Sequence, residues 1–173
     1  MRSTSIRTAL VLSAALAQWS SPAEAQQPTH PPKCTSAEHR QFDFWIGDWD
    51  VTLPNGKFAG TNRIDTILSG CVLRENWSGA RGMHGTSYNI YDATGRRWHQ
   101  TWVDDFGTLL ELNGAFEDGK MVLTGEQKSD SGSTLQRITW TPKGRDVRQL
   151  WESSTDGGKT WSVVFDGNYR KKG

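Results

Sequence analysis

From about residue 48 onward, apolar and polar positions alternate with a period of two, and glycine-containing pairs interrupt the alternation every ten residues or so. Such a pattern predicts short antiparallel strands joined by tight turns. Ten segments carry it: Asp48–Leu53, Phe58–Leu68, Cys71–Ser78, Met83–Asp92, Trp98–Asp104, Leu109–Glu117, Lys120–Gln127, Ser133–Thr141, Asp146–Ser153 and Trp161–Arg170. Between them stand Asn55-Gly56, Ser69-Gly70, Thr94-Gly95, Phe106-Gly107, Asp118-Gly119 and Asp156-Gly157, pairs that suit turns needing positive φ. Gly79, Gly82 and Gly85 read as a flexible inter-strand loop. No connection is long enough for a crossover helix, so each strand is expected to pair with the next. Ahead of the strands, Thr35-Ser36 can cap a short helix through Ala37 to Trp45, with Phe42 and Trp45 three apart on one face.

Ten short strands in one open sheet would leave a face and two edges exposed. Closure into an up-and-down antiparallel barrel of about ten strands removes both edges. Such a barrel is wider than the eight-stranded kind, and it keeps a cavity unless it is flattened or filled by large side chains. One face of the fifth strand carries Trp98, Gln100, Trp102 and Asp104, which is aromatic and polar together. The mixture recurs as Leu73, Glu75 and Trp77, as Ser87, Asn89 and Tyr91, and as Val147, Gln149 and Trp151. A core built only for packing avoids polar groups, each costing about 1–3 kcal/mol when unpaired. Aromatic walls with a few polar groups describe a small-molecule pocket.

The first 25 residues read as an export signal. Arg2 and Arg7 form a positive start, Thr8 to Ala17 an apolar stretch, and Ala23-Glu24-Ala25 a cleavage site. The stretch is too short to stay as a spanning helix, which needs roughly 20 apolar residues; a buried N-terminal helix is the alternative. A Pro-rich arm, 26–34, then leads into one barrel domain, 35–173, and a secreted or periplasmic location is expected. In that setting Cys34 and Cys71 are a disulfide candidate, with two unpaired core cysteines as the other possibility. There is no CxxC, and two thiols alone do not close a metal site, so none is expected.

Composition narrows the function classes. The chain of 173 residues has 20 basic and 19 acidic residues, a balance that disfavours a nucleic-acid partner. Its nine tryptophans supply apolar area that sparse aliphatics do not, so most of them are expected to be core. Trp77, Trp102 and Trp151 are the candidates for a ligand wall because polar residues share their faces. Ser154-Thr155-Asp156-Gly157-Gly158-Lys159-Thr160-Trp161 fits S-x-D-x-G-x-T-W and resembles the Asp-box hairpin of sialidases. It occurs once and reads as a folding device: the Asp accepts backbone amides and the glycines take left-handed angles. Nucleophile-elbow, zincin, P-loop and dinucleotide motifs are missing. Of the four histidines, His30 and His39 precede the barrel, leaving His84 and His99. Glu75 and His99 are weak catalytic candidates, Glu75 because an aromatic neighbour can raise its pKa. An arginine partner for Glu75 across the sheet is the more ordinary expectation. Asn76-Trp77-Ser78 fits a glycosylation sequon but falls within a strand.

Phe42-Asp43-Phe44-Trp45-Ile46-Gly47-Asp48-Trp49-Asp50-Val51, then Gly70-Cys71-Val72-Leu73-Arg74-Glu75-Asn76-Trp77, Tyr91-Asp92, Trp98 to Asp104, the Asp156 turn and Phe165-Asp166-Gly167-Asn168-Tyr169 together resemble secreted bacterial domains of unknown function. The helix leading into Gly47-Asp48-Trp49 is similar to the lipocalin and nitrobindin-like opening of a calycin-type barrel. Nitrobindin-like barrels bind haem through a late histidine, and none follows His99 here, so no cofactor is expected. The reading is an exported barrel that binds a small apolar or aromatic ligand. Trp77, Trp102 and Trp151 would wall the site, while Glu75, Gln100 and Gln149 would orient the ligand's polar end. The rival is a small barrel cyclase, isomerase or lyase using Glu75 or His99 for proton transfer; a third reading is an envelope interaction module with a filled barrel.

Overall fold

The computed structural model describes residues 34–129 and 132–173. The expected export signal and the expected arm up to Lys33 lie outside the described residues. Ten strands are formed: β1 (Gly47–Thr52), β2 (Phe58–Ile67), β3 (Val72–Gly79), β4 (His84–Asp92), β5 (Arg97–Asp104), β6 (Leu109–Glu117), β7 (Lys120–Ser129), β8 (Gly132–Lys143), β9 (Asp146–Ser154) and β10 (Ser162–Lys171). Each pairs antiparallel with the next, and β10 pairs with β1 to close the barrel. The expected up-and-down barrel is the observed fold. Among the described residues no helix is long and apolar enough to cross a membrane.

The expected helix over Ala37 to Trp45 does not form as one element. Two 3₁₀ turns, Glu38–Arg40 and Asp43–Trp45, replace it, separated at Phe42 with φ −103° and ψ 5°. Ser36 does not cap a backbone amide. Its hydroxyl donates to Glu38 at 2.6 Å and meets His39 Nδ1 at 2.9 Å. The break lets both aromatic rings enter the barrel end. Phe42 lies nearly parallel to Trp45, their ring centres 5.0 Å apart, and edge-on to Trp98 and Trp140 at 5.6 and 5.1 Å. All four rings are buried. The burial of these rings, far larger than the backbone preference of a nine-residue helix, decides the local conformation.

Trp98 at the start of β5 and Trp140 and Tyr169 toward the ends of β8 and β10 pack against this plug, so buried rings fill that end of the barrel. Trp49 Nε1 donates to the Trp45 carbonyl at 2.9 Å and ties the plug to β1. Cys34 and Cys71 are disulfide-bonded, their Cα atoms 5.1 Å apart, which removes the unpaired alternative. Arg40 adds a bond to the Gly70 carbonyl at 2.6 Å. The chain leading into the barrel is thereby fastened to the β2–β3 connection.

Charges are resolved on the outer surface. Arg74–Asp65, Arg137–Glu152 and Arg148–Asp166 pair across neighbouring strands at 2.7, 2.9 and 2.7 Å. The inward positions of the same strands carry Glu75, Gln136 and Gln149, all buried.

Candidate functional site

Above the plug the barrel is hollow. A cavity of about 300 Å³ is lined by residues from β3, β5, β6 and β8 to β10 and by Met83 of the β3–β4 connection, at the lower end of the range for small-molecule sites. Its walls are apolar: Trp77, Trp102, Trp151, Phe165, Leu110, Ile138, Met83 and Val164. Its polar groups are Glu75, Gln100, Gln149 and Tyr169. Thus the six residues expected at a ligand site, Trp77, Trp102, Trp151, Glu75, Gln100 and Gln149, surround one cavity. Strand alternation explains this, because each is in phase with a buried residue two positions away, such as Leu73 for Glu75 and Val147 for Gln149.

His99 is not among them. It lies on the outer face, where Nδ1 is 3.0 Å from Asn113 Oδ1 and Nε2 is 2.8 Å from Thr101 Oγ1. Its neighbours in sequence, Trp98 and Gln100, take the inward positions.

Two glycines make room for the aromatic wall. Gly85 lies within β4, facing inward with Ser87 and Asn89, and a Cβ there would come within 2.2 Å of the Trp102 ring. Gly167 of β10 is likewise covered by the Phe165 ring, 2.5 Å from a built Cβ. Gly79 and Gly85 are therefore strand residues, and only Gly82 stands in the turn of the expected flexible loop. Close approach of a neighbouring ring is a recurrent reason for glycine inside a strand.

The tryptophans differ in how their indole N–H groups are held. Trp151 donates to Gln136 Oε1 at 2.7 Å, and Trp102 donates to Asp104 Oδ2 at 3.3 Å. Trp77 Nε1 is buried with no partner among the described residues. Trp77 meets Phe165 edge to face at 5.8 Å.

Glu75 has no arginine partner among the described residues, contrary to expectation. The reason is geometric: Arg74 occupies the alternate phase of β3 and serves Asp65 outside. Glu75 instead accepts two neutral bonds, from Asn62 Nδ2 to Oε1 at 2.7 Å and from Ser87 Oγ to Oε2 at 2.6 Å. Behind them Asn89 donates to Ser87 Oγ at 3.0 Å, and Gln100 donates to Asn89 Oδ1 at 2.8 Å. Burial pushes the Glu75 carboxyl up to about 7, and the two hydrogen bonds from Ser87 and Asn62 restrain that rise. Tyr169 completes the polar floor. Its hydroxyl donates to Gln149 Oε1 and lies 3.4 Å from Asn62 Nδ2. The pKa of that hydroxyl is pushed well above the ordinary tyrosine value, first by burial and then by the Glu75 charge.

Asn62, Ser87, Asn89 and Tyr169 were not expected as site residues. Ser87 and Asn89 already shared an inward polar face in the alternation, and Asn62 alternates with the apolar Ile64. Tyr169 shares the inward phase of Phe165 and Gly167, against the polar Asp166, Asn168 and Arg170; the β9–β10 register shift between Val163 and Phe165 lies ahead of this run.

Elsewhere, the Asp156 turn matches its sequence reading. Asp156 accepts the Lys159 and Thr160 amides at 3.0 and 2.9 Å, and Gly157 and Gly158 have φ of 73° and 88°. Among the described residues no group of three or more His, Cys, Asp or Glu side chains could hold a metal ion. Compared with known proteins, the chain matches no family model and no curated protein. Fold and site together define a closed antiparallel barrel with an aromatic-walled internal cavity.

Proposed function

We propose that this protein is an exported binding protein of calycin type for a small apolar or aromatic molecule. The observation that carries the reading is the cavity itself, in which apolar walls from Trp77, Trp102 and Trp151 stand over a polar floor of Glu75, Gln100 and Gln149. A barrel built only as a scaffold gains by filling such space, since voids lose packing contacts. Export is supported by the signal-like first 25 residues and by the Cys34–Cys71 bond, which persists in oxidising compartments. Intrinsic tryptophan fluorescence, titrated with a panel of medium-chain lipids and single-ring aromatics, tests the reading. Saturable quenching by at least one member is expected, and a flat response to all would overturn it.

One arrangement favours a second reading, a proton-transfer enzyme. Asn62 Nδ2 bridges Glu75 and Tyr169, and a carboxyl group near 7 is poised to give or take a proton at neutral pH. On this reading Glu75→Gln abolishes turnover but keeps ligand binding.

A further inference from the structure

Hydrogen-bond direction at the cavity floor restricts the chemistry of an occupant. The donors nearest Glu75 are already committed: Ser87 and Asn62 to the carboxylate, Asn89 to Ser87, Gln100 to Asn89, and Tyr169 to Gln149. Apart from Tyr169, which turns its proton to Gln149, they form a relay of dipoles whose positive ends point toward Glu75, the arrangement that favours an anion there. Each carboxylate oxygen accepts one of these bonds and retains a lone pair. Asn62 Oδ1, beside it, is buried and has no partner among the described residues.

Among the described residues no cation answers this anion. Arg74, the nearest in sequence, is turned outward to Asp65. From the elements packed against Glu75 come Asn62 of β2, Ser87 of β4, Gln149 of β9 and Tyr169 of β10. Among them only Tyr169 is titratable, and it is neutral at physiological pH. Above Glu75 stand the rings of Trp77, Trp102, Trp151 and Phe165, and the faces of aromatic rings attract cations. A buried carboxylate without a partner costs several kcal/mol, and a ligand that carries the missing charge recovers it.

We propose that the cavity takes a protonated amine on an aromatic or apolar body, with the ammonium seated against Glu75 and the body against Trp77, Trp102 and Trp151. The assignment rests on the ligand-binding reading above and specifies its ligand class. A phosphate, carboxylate or other anionic headgroup is excluded by like charge at the floor, and a neutral alcohol would leave the anion uncompensated.

The test needs only the intact protein and matched probes. Phenethylamine and phenylbutylamine, the corresponding alcohols and the corresponding carboxylates are titrated calorimetrically at pH 8. The amines are expected to bind roughly tenfold or more tightly than the alcohols, as a charge-assisted bond implies, and the carboxylates least. Amine affinity falls as the pH is lowered through about 7, where Glu75 takes up a proton, while alcohol affinity does not follow. Glu75→Gln brings amine and alcohol together. Alcohols or carboxylates binding as tightly as the amines would overturn the amine assignment and leave the cavity reading standing. Silence from all six probes together with a flat fluorescence panel would overturn both.

Discussion

Ser87 Oγ donates to Glu75 Oε2 at 2.6 Å across the β3–β4 pair, at the floor of a cavity where no positive side chain among the described residues reaches the carboxylate. That bond is one of two that restrain the carboxyl against burial, and its loss has a defined sign. Carboxyl-labelled NMR is expected to show Glu75 titrating near pH 7 and to show the midpoint moving higher in Ser87→Ala. A midpoint near 4.5 in the wild type would contradict the described burial.

The same group sets a pH dependence of stability. The folded value, about 7, lies above the ordinary 4.5, so the folded state holds the proton more tightly than the unfolded chain. The contribution of Glu75 is most favourable below pH 4.5 and is lost as pH rises through about 7. The loss is on the order of 3 kcal/mol. Glu75→Gln removes it, so urea denaturation should find the variant more stable than wild type at pH 8, by about 1–3 kcal/mol, with the advantage gone at pH 4.5. The outer carboxylates, including Asp65 and Asp166, titrate in both proteins and cancel in the difference. An advantage independent of pH would contradict the assignment.

Gly85 and Trp102 test the cavity wall. A methyl group at position 85 would stand 2.2 Å from the Trp102 ring, so Gly85→Ala must push the ring aside. Overpacking of this kind costs about 1–3 kcal/mol. Denaturation should register that loss, and near-ultraviolet circular dichroism should register the changed tryptophan environment.

The Cys34–Cys71 bond spans 37 residues of sequence. In the chain-entropy account a loop of this length stabilises by about 3–4 kcal/mol. Replacing both cysteines by serine is expected to lower the unfolding free energy by a comparable amount. Because Phe42 and Trp45 lie between the bridged positions, amide exchange should quicken in Glu38–Trp45 before it does in the barrel strands.

Much of this molecule is legible in its sequence, for reasons that particular residues make clear. Strand limits follow from the turns: Asp118 and Gly119 both take positive φ between β6 and β7, and Gly56 does so after β1. Alternation then assigns Glu75, Gln100 and Gln149 to the interior without any tertiary knowledge. What alternation does not contain is which inward residues meet across strands, so Asn62 and Ser87 as partners of Glu75 stay hidden, and an arginine is the ordinary guess. The irregular stretches mislead for a related reason. Phe42 and Trp45 have helical spacing, yet the barrel end they fill requires 3₁₀ turns, and the register shift between Val163 and Phe165 interrupts the alternation before it resumes through Phe165, Gly167 and Tyr169.

The most direct test of the ligand-binding cavity compares fluorescence titration of the wild type with that of Leu110→Phe, in which a larger side chain takes up space in the cavity that Leu110 lines. Saturable quenching in the wild type, abolished in a Leu110→Phe protein that still unfolds cooperatively, is the predicted result. Equal quenching in both proteins, or none in either, would contradict a ligand site between Trp77, Trp102 and Trp151.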